Sequence, residues 1–72
     1  MKTIDKIIKE MPKDRDFRAV EVANIVFPDH VRSDTEGRCY NMGVSTTARL
    51  LRKIKGVYEN PHGVFYAHKE YF

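Results

Sequence analysis

Apolar residues at Ile4, Ile7, Ile8 and Met11 follow the i, i+3, i+4, i+7 spacing that puts four side chains on one stripe of a helix. Thr3 is placed to cap its start. Pro12 marks its end, because proline has no N–H to give inside a helix. The other face carries Asp5, Lys6, Lys9 and Glu10, a solvated surface. After a polar loop over 12–16, "FRAVEVANIVFP" opens with a short extended piece at Phe17 and Arg18. A second helix is predicted from Ala19, with Ala19, Val22, Ala23 and Val26 on one stripe and Pro28 closing the run. The β-branched residues make strand its competitor. The spacing, and the pair Ala19/Ala23 that allows close packing, favours helix.

The periodicity then breaks. Ser33-Asp34-Thr35-Glu36 matches a capping box and predicts a short helical turn, while Gly37 and Gly43 argue against a long helix. Residues 28–43 read as an extended connection with one irregular turn, tacked to the core by Cys39, Tyr40 and Met42. A third helix is predicted over 45–55, with Ser45 as N-cap and Gly56 as the stop. Thr47, Leu50, Leu51 and Ile54 form its core stripe. Thr46, Arg49 and Lys53 lie on the opposite side with Ser45 and Arg52 beside them, and no carboxylate interrupts them.

The chain closes with "GVYENPHGVFYAH". Asn60-Pro61-His62-Gly63 is a turn signal: Pro61 presets φ at the second position and Gly63 tolerates a positive φ at the fourth. A type I turn with a bulge at Gly63 sets Asn60 opposite Val64, Glu59 opposite Phe65, Tyr58 opposite Tyr66 and Val57 opposite Ala67. Val57, Phe65 and Ala67 then face the core, and Tyr58, Tyr66 and His68 face outward. Tyr71 and Phe72 either fold back as a terminal anchor or fray at the end of the chain.

Seventy-two residues allow one domain, spanning 1–72, with a small core and little room for a deep cavity. The predicted class is α+β. No apolar run is long enough to span a membrane, and the charged start "MKTIDKIIKE" does not read as a signal peptide. The single Cys39 leaves no internal disulfide framework and fits a reducing cytoplasm. Charge changes the picture more than composition does. Residues 1–37 hold seven Lys/Arg and eight Asp/Glu, whereas 38–72 hold six Lys/Arg and two Asp/Glu. From Arg38 to Tyr58 there are five bases and no acid. Such asymmetry favours a polyanion partner for the second half; a merely solvated basic face is the plain alternative.

The order of elements, with "FRAVEVANIV", "GVSTTARLLRKIKGV" and "VYENPHGVFYA" in sequence, resembles the winged helix-turn-helix superfamily over nearly the whole chain. These segments resemble, in turn, its short first strand plus second helix, its recognition helix, and its hairpin wing. One departure is the connection from Pro28 to Gly43, longer than the tight turn usual in that motif. The resemblance implies double-stranded DNA binding, with the third helix in the major groove and the wing near the backbone. The residues point the same way. Ser45 and Thr46 put hydroxyls at a helix N-terminus suited to a phosphate oxygen. Arg49 and Lys53, one turn apart, can reach base edges or backbone; Lys53 and Lys55 read more as phosphate contacts, and Arg52, on the flank, either contacts DNA or pairs with a carboxylate elsewhere. Asn60 and His62 sit at the tip of the hairpin.

A transcriptional regulator acting as a homodimer is the function expected. An adaptor or inhibitor that binds protein, and an architectural or recombination-directing DNA binder, are the alternatives. Cys39, His30, His62 and His68 match no metal-ligand spacing, and no nucleophile–base pair or phosphate loop is evident. Neither catalysis, a cofactor nor a small-molecule ligand is expected.

Overall fold

The structure is a computed structural model that describes residues 2–72. Three helices and two antiparallel sheets make an α+β fold. Helix α1 (Thr3–Glu10) starts with Lys2 at its N-cap and no side-chain cap, so Thr3 is its first helical residue rather than its cap. At its other end the Lys13 ammonium gathers the carbonyls of Ile8 and Met11, which suits the negative end of a helix dipole. Strand β1 (Asp16–Arg18) runs directly into α2 (Ala19–Val26), whose Ala19, Val22, Ala23 and Val26 are all buried as the stripe predicts. A 3-10 turn over Pro28–His30 ends this half of the chain.

Helix α3 (Val44–Arg52) leads through a turn to β4 (Val57–Glu59) and β5 (Val64–Ala67). These two strands pair in the predicted register, Val57 with Ala67, Tyr58 with Tyr66 and Glu59 with Phe65. Asn60 N–H donates to Val64 O at 2.9 Å, and Gly63 takes φ 78° at the bulge. Strand β1 adds to β5, with Phe17 opposite Phe65, and gives a three-stranded sheet in the order β1-β5-β4. The last turn, Lys69–Tyr71, is tied down by Asp14, whose carboxylate accepts the Lys69 N–H at 2.9 Å, and Tyr71 lies on the bare Cα of Gly56.

The core lies between the helices and the inner face of this sheet. Ile7, Val22, Leu51, Phe17 and Phe65 are essentially inaccessible to water, and the two phenylalanine rings stack with centroids 5.9 Å apart. Each such side chain stabilises the fold by about 1.5–3 kcal/mol relative to exposure. The core therefore draws on every helix and joins the C-terminal hairpin to the N-terminal strand.

Residues 28–43 depart from expectation. They contain a second hairpin, β2 (Val31–Ser33) and β3 (Cys39–Asn41), antiparallel with Arg32 opposite Tyr40. No helical turn forms at Ser33–Glu36. Asp34 instead closes the loop: its Oδ1 accepts the Glu36 and Arg38 N–H groups at 2.9 Å and its Oδ2 the Arg38 guanidinium at 2.8 Å. An aspartate offers a tight loop the same acceptor it would offer a helix N-terminus, so the capping pattern was ambiguous. Nor do Cys39, Tyr40 and Met42 tack the segment to the core, since all three are exposed. The anchor is Asn41. It is buried, with Nδ2 donating to Asn24 Oδ1 at 3.0 Å and Phe27 O at 3.1 Å, while Oδ1 accepts the Gly43 N–H at 2.7 Å. Gly43 is required there because a Cβ would fall 2.7 Å from the Phe27 ring.

Candidate nucleic-acid interface

Along α3, Thr47 and Leu51 point inward, and Ile54 just past its end joins them. At about 100° per residue, the opposite side of the helix must carry Ser45, Thr46, Arg49 and Lys53, and all four are exposed. Lys55 follows, also exposed. Ser45 is not the N-cap that the sequence suggested. Gly43 takes that place, with its carbonyl accepting the Thr47 N–H at 2.9 Å, and Asn41 serves the Gly43 N–H from two residues upstream. Among the described residues, the Val44, Ser45 and Thr46 N–H groups meet no acceptor. The Ser45 and Thr46 hydroxyls thus stand beside open amides at the positive end of the helix dipole.

Arg52 lies toward the β4–β5 hairpin, and its guanidinium forks onto Glu59: Nε to Oε1 at 2.7 Å and an NH2 nitrogen to Oε2 at 3.0 Å. The hydrogen bonds from Arg52 hold the Glu59 carboxyl below its ordinary range, and Glu59 in turn raises Arg52. Arg52 therefore braces the hairpin against α3, the carboxylate pairing that its flank position left open beside a DNA contact. Asn60 is likewise engaged. Its Oδ1 accepts the His62 N–H at 2.8 Å and the Val64 N–H at 3.0 Å, so its carbonyl oxygen belongs to the turn and only its amide nitrogen is left to face outward. His62 is exposed at the tip.

Arg18 was missed. It sits at the junction of β1 and α2, and its guanidinium approaches the His62 carbonyl at 3.5 Å, across 44 positions of sequence. No local pattern marks such a contact; the only signal was the pairing of β1 with β5. Among the described residues, ion pairs engage Arg15, Arg38 and Arg52; Arg18, Arg49, Lys53 and Lys55 are among the cations without a carboxylate, as are Lys6, Lys9 and Arg32. A groove of about 280 Å³ separates α3 from the hairpin. Val44 and Ala48 form one wall, and Arg18, Val20, Gly63 and Phe65 lie among the residues around the rest.

No group of three or more His, Cys, Asp or Glu among the described residues could hold a metal ion, and no helix is long and apolar enough to cross a membrane. Comparison with protein-family models, with curated proteins and with solved structures finds no match to this chain.

Proposed function

We propose that this protein is a small double-stranded DNA-binding protein of winged helix-turn-helix type, acting as a transcriptional regulator, with α3 entering the major groove and the β4–β5 hairpin as its wing. The observation that carries this is the exposed strip Ser45, Thr46, Arg49 and Lys53, uninterrupted by any carboxylate and beginning at open helix N–H groups. A hairpin held to that same helix by the Arg52–Glu59 fork stands beside it. Support for the family reading comes from the strand that precedes α2 and pairs with the second strand of the hairpin. The β2–β3 hairpin replaces the usual tight turn between α2 and α3.

In this arrangement hydroxyls and N–H groups at the start of α3 meet a phosphate, Arg49 reads a guanine edge, and Lys53 and Lys55 meet backbone. One α3 offers few base contacts, so two copies bind a two-fold site. The exposed Tyr58, Tyr71 and Phe72 supply apolar surface for that contact. A second reading, a module that binds a protein partner, is favoured by Val31, Tyr40 and Met42 on and beside the inserted hairpin, all exposed apolar residues.

Gel shifts on random genomic fragments, followed by sequencing of the bound pool, test the leading reading. Arg49→Ala should weaken binding by roughly 1–3 kcal/mol and relax one base preference. Lys53→Ala should weaken binding evenly across sequences, and both variants should keep the wild-type circular dichroism spectrum. Unchanged affinity in both removes α3 from the interface.

A further inference from the structure

We propose that the groove between α3 and the β4–β5 hairpin seats one sugar–phosphate strand of the duplex and that Arg18 is its phosphate contact; this rests on the DNA-binding reading above. Charge selects the occupant. Two guanidiniums, Arg18 and Arg52, border the groove, and the carboxylate that borders it, Glu59, already takes both hydrogen bonds of the Arg52 fork. What remains open is the Arg18 cation, exposed and without a carboxylate partner among the described residues. Its one contact across the groove is a weak bond of 3.5 Å to a backbone carbonyl, that of His62. A phosphate oxygen is a stronger acceptor for a guanidinium than a carbonyl is, and would draw it away at little cost.

The walls suit the rest of a nucleotide. Val44 and Ala48 extend the exposed strip of α3 round to the groove, and small apolar side chains there let a deoxyribose approach the helix closely. Gly63, on the hairpin side, adds no side chain to obstruct it. A strand lying here touches α3 on one side and the hairpin tip on the other, so Arg18 couples the two contacts although it belongs to neither element.

Arg18 can be altered without disturbing its local fold. Its link to α2 is its backbone N–H, which donates to Glu21 Oε2 at 2.8 Å and survives any side-chain change. The experiment is a fluorescence-anisotropy titration of a labelled duplex, taken from the bound genomic pool, over a salt series with wild type, Arg18→Ala, Arg18→Lys and the remote control Lys9→Ala. Arg18→Ala should flatten the plot of log K against log salt by about 0.9 for each bound copy, a loss of roughly eightfold per copy at 0.1 M salt, with base preference unchanged. Arg18→Lys should restore the slope, since a phosphate contact needs a cation and not a fork. Lys9→Ala should match wild type. A wild-type slope in Arg18→Ala overturns the assignment of Arg18 while leaving DNA binding intact. Absence of binding by wild type overturns the parent reading and this one with it.

Discussion

Arg52 shows how a cation on a candidate interface can also brace the fold. It lies on the flank of the basic helix, where spacing left open either a contact with DNA or a pairing with a carboxylate elsewhere. The partner is Glu59, seven residues on, which β4 carries back beside the helix. The consequence is measurable as a pH dependence. The folded-state carboxyl of Glu59 titrates below its ordinary value of 4.5 because Arg52 donates two hydrogen bonds to its ionised form. A depressed folded value means that the pair stabilises the fold fully above about pH 4.5 and that this contribution is lost as the pH falls through the folded value. Glu59→Gln should therefore melt below wild type at neutral pH, and the gap should narrow in acid. Thermal melts of both proteins between neutral pH and acid check it; a gap that stays constant with pH contradicts the brace.

At the scale of elements, what the sequence disclosed and what it hid follow one physical division. The stripes of α1 and α2 and the register of β4 with β5 were legible, because local spacing and the Asn-Pro-His-Gly turn dictate them. The β2–β3 hairpin was not. Its strands have three residues each and bury only Asn41, so no hydrophobic alternation announces it. A polar residue holds it instead, and a buried asparagine with three satisfied hydrogen bonds looks, in sequence, like any loop residue. Two-stranded hairpins without a buried face are marginal in water. Asn41→Ala should accordingly orphan the Gly43 N–H, free the hairpin and cost roughly 2–3 kcal/mol by denaturant titration, since each buried unsatisfied group costs about 1–3 kcal/mol. An effect under about 0.5 kcal/mol, the range of ordinary surface substitutions, would show that the network does not hold the junction. Of the candidate site, the polar strip of α3 was legible from helical spacing. Arg18, the engagement of Asn60 and the identity of Glu59 as the partner of Arg52 were not, because each depends on a tertiary neighbour or on turn geometry.

Among the described residues, cations without a carboxylate partner occur in both halves of the chain, Lys6, Lys9 and Arg32 as well as Arg18, Arg49, Lys53 and Lys55. The acidic and basic residues of the first half largely interleave, while the second half carries a net positive charge with Glu59 already engaged. The proposed interface holds Arg18 at the groove and Arg49, Lys53 and Lys55 on and just beyond α3. Modest overall charge is compatible with strong local attraction, because phosphate contacts act within a Debye length of about 8–10 Å. The measurement that bears most directly on the account is the salt dependence of wild-type binding to duplex DNA. Three phosphate contacts per copy, from Arg18, Lys53 and Lys55, predict a slope of log K against log salt near −2.7 for each bound copy, at about 0.9 per phosphate. A slope near zero, or no binding at low salt, would contradict a DNA interface on α3.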